Sequence, residues 1–223
     1  MDIIKDLLQN HYPNHIGHKG RNPVIYPYSI LTSDFLLGDN KACVDQKCIE
    51  VKNCDHMVIN VKTNTPVAVL EFEVFVNQFG TTMNSMKGDR CDFMLYDPTE
   101  AKSRFILCEL TCGNVQYIEP NTGRYPEGKR ARAYSQIKNS LEHLLTIPVL
   151  DHNILTYASH QGVFGWREKV EQIDDKVLKS LSEFSDTPSS REPILYTQDF
   201  VLGHGFVFIQ VKYPTELNWN KKT

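Results

Sequence analysis

Apolar positions along this chain recur at two different periods. Near the N-terminus Ile3, Ile4, Leu7 and Leu8 fall at helical spacing, which predicts a short helix within residues 2–10. Residues 11–27, rich in His, Gly, Pro and Asn, predict an irregular segment, and residues 34–37 a short helix or turn. From Cys48 onward the period shortens. Strands are expected over 48–51 and 56–62, then a turn at Thr63-Asn64-Thr65-Pro66, then a long strand over 67–76. In the second half of that strand Glu71 and Glu73 alternate with Phe72 and Val74, which predicts a face open to solvent or to a site. Two buried runs follow, one over 91–96 and one over 105–111. The turn-forming Asp97-Pro98-Thr99-Glu100 sits between them.

Residues 112–128 carry repeated Gly and Pro and predict a long loop. Residues 129–145 predict the best helix of the chain, with Ala133, Ile137, Leu141, Leu144 and Leu145 as one apolar stripe. A strand is expected over 154–158 and a second amphipathic helix over 166–184. A Ser/Pro linker over 185–193 and a last strand over 205–211 complete the pattern. Strands, a hairpin, a helix, a strand, a helix and a strand imply an α/β (α+β) fold: a mixed central sheet flanked by helices. One domain over residues 1–223 is expected, with 1–60 as an N-terminal elaboration and 66–213 as the core.

Composition changes this picture little. The chain has 223 residues, ordinary apolar and charged fractions, and a formal net charge of -3, which argues against a protein that coats nucleic acid non-specifically. A local basic patch remains: Arg124, Lys129, Arg130, Arg132 and Lys138. No apolar run approaches the ~20 residues that span a bilayer, and the first residues lack a secretion signal, so a cytoplasmic protein without membrane association is expected. Six cysteines are then expected as thiols. Cys43, Cys48, Cys54 and His56 raise zinc as a question, although their spacing is not the usual paired one. His11, His15 and His18 read as surface residues of a loop, and His160 as a structural histidine.

The chemistry concentrates in the two buried runs. Each holds a carboxylate where a hydrophobe would be expected: Asp92 at the start of the first, Glu109 near the end of the second. Paired as an antiparallel hairpin, the runs bring both acids to one end of the sheet. Such a pair is costly unless a positive charge lies between them, and a hard divalent cation suits oxygen donors. Acyl or thiol chemistry lacks its signatures, since the chain has no Gly-x-Ser-x-Gly elbow and no recognisable cysteine nucleophile turn. No Gly-rich phosphate loop occurs either.

A strand with Asp92, a turn, a strand carrying Glu109-Leu110-Thr111, and a helix with Tyr134-Ser135-Gln136-Ile137-Lys138 resemble the PD-(D/E)XK nuclease superfamily. The run 87–96 followed by 106–110 is similar to its compact bacterial members. The resemblance covers about residues 66–158 and implies a restriction-endonuclease-like core. It also implies a metal-dependent endonuclease that hydrolyses DNA, less readily RNA, and belongs to a bacterial or phage-related antiviral defence system. Asp92, Glu109 and the Leu110 carbonyl would then bind Mg²⁺ or Mn²⁺. Gln136 would lie near the metal, and Arg124, Lys129, Arg130, Arg132 and Lys138 would contact nucleic acid. The chain departs from the family at Thr111, where the family's lysine would stand. Three outcomes stay open: the lysine role passes to Lys129, Lys138 or Lys87; Thr111 itself holds the water; or the protein is a catalytically inactive nuclease-fold subunit that binds a protein or nucleic-acid partner. Glu71 and Glu73 are weighed as a further metal ligand against an exposed sheet face. Cutting both strands of a duplex needs two sites, which raises a homodimer as a candidate assembly.

Overall fold

The computed structural model describes residues 2–20, 23–39, 49–50, 57–80, 90–100, 104–113, 117–120, 126–146, 160–168, 194–195 and 206–220. Its larger sheet runs, in spatial order, β1 (Tyr28–Leu31), β5 (Val67–Glu71), β6 (Phe93–Tyr96), β7 (Phe105–Gly113), β8 (His160–Glu168), β10 (Phe206–Lys212) and β9 (Ile194–Leu195). The smaller sheet runs β11 (Glu216–Asn218), β4 (Met57–Lys62), β2 (Phe35–Gly38) and β3 (Ile49–Glu50). In the larger sheet β1, β5, β6 and β7 are antiparallel neighbours, whereas β7, β8 and β10 are parallel. The fold is α/β with a mixed sheet, as the pattern of the chain implies.

Helices cover one face of this sheet. They are α1 (Ile3–Asp6), a π-helical turn (Leu7–His11), α2 (Tyr12–His15), α3 (Phe72–Asn77) and α4 (Gly128–Leu145). The opposite face packs on the smaller sheet. Strand alternation makes this division. On β7, Phe105 and Leu107 join the helical side with Ala133, Ile137, Leu141 and Leu144, while Ile106, Cys108 and Leu110 join Leu37, Ile59 and Val61 of the smaller sheet. Gly165 leaves room for side chains between the sheets: a Cβ there would meet Ile59 Cδ1 at 2.6 Å and Leu110 Cδ2 at 2.7 Å.

Four expectations change. Residues 35–38 form a strand rather than a helix or turn, because Phe35 and Leu37 are buried between the sheets and pair with Val61 and Ile59. The strand over 67–76 stops at Glu71, and α3 begins. Asp92 O accepts from Phe72 N (2.8 Å) and Glu73 N (3.2 Å), and Phe72, Phe75, Val76 and Phe79 enter the core at helical spacing. Each such buried side chain contributes roughly 1.5–3 kcal/mol, which outweighs the strand-like alternation at 71–74. The N-terminal helical segment continues through His15, into the range expected to be irregular. Trp166 and Arg167, expected to open a helix, belong to β8, where they pair with Thr111 and Cys112. The expected strand at 154–158, the rest of the second helix, the linker, and Cys43, Cys48, Cys54, His56 and Lys87 lie outside the described residues.

Candidate functional site

The acid-bearing runs pair as an antiparallel hairpin with Phe93 opposite Cys108. That register sets Asp92 beside Glu109, because Asp92 N donates to Cys108 O at 2.9 Å and Asp92 Oδ2 accepts from Leu110 N at 2.7 Å. Asp92 is only 7% exposed and Glu109 9%. Both carboxylates act on the Cys108 thiol: burial pushes its pKa up, and the nearby charges of Asp92 and Glu109 push it further. Cys108 is thus a protonated core residue rather than a nucleophile.

Helix α4 brings the rest of the site. Its apolar stripe faces the sheet, and a polar stripe runs beside it at positions 129, 132, 136 and 140. Lys129 Nζ donates to Thr111 Oγ1 at 2.7 Å. Gln136, 8% exposed, donates through Nε2 to Arg90 O at 3.1 Å. Ser140 Oγ accepts from Cys91 N at 2.9 Å. The stripe therefore holds both the segment entering β6 and the end of β7, the two places that supply the carboxylates. Lys129 owes its position to two glycines. Gly128, at φ +81, opens α4 with its Cα 's missing side chain facing Ile118 O and Glu119, where a Cβ would come within 2.6 Å and 2.5 Å. Gly113 lies two residues after Thr111, and a Cβ there would come to 2.7 Å from Lys129 Nζ.

Asp39, Asp92, Glu109, Leu110, Thr111, Cys112, Lys129, Arg132, Gln136 and Phe164 line one cavity of about 220 Å³. Of the residues expected at the site, Asp92, Glu109, Leu110, Thr111, Lys129, Arg132 and Gln136 meet there. Arg130 instead pairs with Glu119 at 2.8 Å, and Lys138 with Glu142 at 3.7 Å on the exposed side of α4. Arg124 lies outside the described residues. Glu73 pairs with Arg90 at 3.4 Å, and neither it nor Glu71 is among the residues lining the cavity. His160 is fully buried, stacked on Phe206 with ring centroids 5.3 Å apart, which suits a core residue.

Asp39 was not among the expected residues. It follows the apolar run 35–37 and Gly38, is 8% exposed, and accepts from Cys112 N through Oδ2 at 2.8 Å. The available signal was a carboxylate closing a buried run, the same signal that marks Asp92 and Glu109. Among the described residues no group of three or more His, Cys, Asp or Glu side chains is disposed to hold a metal ion. No described helix is long and apolar enough to cross a membrane. Comparison with protein-family models, curated proteins and solved structures finds no match to this chain.

Proposed function

We propose that the protein is a Mg²⁺- or Mn²⁺-dependent nuclease that hydrolyses phosphodiester bonds, DNA being favoured over RNA. The observation that carries this reading is the hydrogen bond from Lys129 Nζ to Thr111 Oγ1, in the cavity that both buried carboxylates line. The ammonium that the chain lacks at position 111 reaches that position from α4. This supports the first of the three outcomes left open by Thr111, with Lys129 as the residue.

The donor set fits a hard ion. Asp92, Glu109 and the Leu110 carbonyl would hold it, and Mg²⁺ is commonly bound by one or two carboxylates with water and phosphate oxygens completing the shell. When bound, such an ion lowers the pKa of water and offsets charge developing on the phosphate. The protein's own groups do the remaining work. Thr111 fixes the Lys129 ammonium, which stabilises negative charge on the scissile phosphate. Arg132, one turn further along α4, offers a guanidinium to a neighbouring phosphate oxygen. Gln136 and Ser140 hold residues 90–91 and so orient Asp92.

The test is cleavage of plasmid, single-stranded DNA and RNA with Mg²⁺ or Mn²⁺. Asp92→Ala, Glu109→Ala and Lys129→Ala are each expected to lower kcat about 100-fold or more. Cleavage that persists in both acid variants removes this site. A wild-type protein that cuts nothing, and whose melting temperature Mn²⁺ does not move, points instead to the inactive, partner-binding subunit.

A further inference from the structure

Strand β7 runs past the end of β6. Its pairing with β8 continues to Gly113, opposite Glu168, but β6 begins only at Phe93, opposite Cys108. Beyond Cys108 no strand among the described residues pairs with that edge of β7. The N–H groups on that edge belong to alternate residues, Leu110 and Cys112, about 7 Å apart by strand geometry. Carboxylates take both: Asp92 Oδ2 accepts from Leu110 N, and Asp39 Oδ2 accepts from Cys112 N. The Leu110 carbonyl, which shares the edge with the Leu110 N–H, lies between the two held amides.

Asp39 reaches this edge by a built route. The β2–β4 ladder shifts register between Leu37 and Gly38, an irregularity of the kind that redirects a strand beside functional sites. Gly38 pairs with Met57, and Met57 O accepts from Arg167 Nη1 at 3.0 Å. Arg167 is on β8 at the residue paired with Cys112. The ladder that carries Asp39 is thus tied to the same level of the large sheet that Asp39 holds.

We propose that Asp39 is a positioning residue for the hydrolysis. By holding Cys112 N–H it fixes the Leu110–Cys112 edge, and with it the Leu110 carbonyl and the Thr111 hydroxyl that receives Lys129. This role rests on the nuclease reading above. It makes the smaller sheet part of the reaction centre rather than an accessory layer.

Two variants test it. Asp39→Asn keeps an oxygen that can accept the Cys112 N–H; Asp39→Ala removes it. On a plasmid substrate at saturating Mn²⁺, Asp39→Ala is expected to lower kcat about 10- to 100-fold with KM little changed, and Asp39→Asn to restore most of that loss. Amide hydrogen exchange of residues 109–113 is expected to quicken in Asp39→Ala and stay near wild type in Asp39→Asn. Wild-type kcat in Asp39→Ala overturns the role. So does an Asp39→Asn variant as impaired as Asp39→Ala, because the carboxylate charge would then be what matters. A wild-type protein that cleaves nothing defeats the nuclease reading and this role together, whereas Asp92-dependent cleavage with an unimpaired Asp39→Ala defeats this role alone.

Discussion

At position 111 a threonine stands where the resemblance requires a lysine, and the ammonium arrives from Lys129 instead. Side-chain space decides whether it can. Because a Cβ on Gly113 would sit 2.7 Å from Lys129 Nζ, Gly113→Ala is expected to push the ammonium off Thr111. The displaced atom is the tip of a flexible chain, so the fold should tolerate the change. We expect kcat to fall about 10-fold while the melting temperature moves by no more than about 2 °C. In a Lys129→Ala background the same glycine change should cost nothing further, a non-additivity that identifies the lysine as its target. The converse experiment moves the charge back to the strand. Thr111→Lys combined with Lys129→Ala should recover about 10-fold of the kcat lost by Lys129→Ala alone; no recovery would mean that the ammonium's location is not what Lys129 supplies. Asp92 and Glu109 were legible because a carboxylate inside an apolar run is conspicuous. Lys129 could be named only as one of three lysines, since nothing local tells which turn of a distant helix meets Thr111.

Among the elements, α4 was the most legible and α3 the least. The α4 apolar stripe runs from Ala133 to Leu145, more than three turns, and has no competing reading. The residues of α3 satisfy two periods at once, alternation over 71–74 and helical spacing over Phe72, Phe75, Val76 and Phe79. The tie is broken from outside the segment, by Asp92 O receiving the first amides of the helix. At its other end α4 meets the N-terminal helical segment, where Tyr12 OH and His143 Nε2 lie 2.9 Å apart. Burial, then the nearby charge of His15, lowers the His143 pKa below its ordinary value. The unfolded chain therefore takes up a proton at this residue before the folded one does. Stability should hold above the unfolded pKa, near 6.5, and decline as the pH falls below it. Urea midpoints at about pH 7.5 and 5.5 should differ less in His143→Gln than in the wild type. An equal drop in both would show that His143 does not drive the acid sensitivity.

For the whole molecule, the mixed sheet and one covering layer of helices followed from the order of elements, but the second sheet did not. Its strands β2, β4 and β11 come from distant parts of the chain, and pairings of that range leave no local pattern. The site inherits this: Asp39 depends on where β2 lies against β7, which no spacing along the chain encodes. The layers are also stapled at a buried guanidinium. Arg104 donates to the carbonyls of Asn218 and Trp219 and to Gln161 Oε1 at 3.2 Å. If the paired acids bind an ion, the whole fold should register it. At about a hundredfold excess of Mn²⁺ over its dissociation constant, mass action contributes about 2.7 kcal/mol, a rise of about 5–10 °C in melting temperature for a chain of this size. Asp92→Asn should abolish that rise.

Taking the ammonium from α4 also places it 18 residues beyond Thr111 in the chain, on a different element from either acid. A pattern search that demands Glu-x-Lys within three consecutive positions passes over such an arrangement. Scans for proteins of the proposed kind gain reach by accepting a small hydroxyl residue after the acid, a glycine two places beyond it, and a lysine in the opening turn of the next helix.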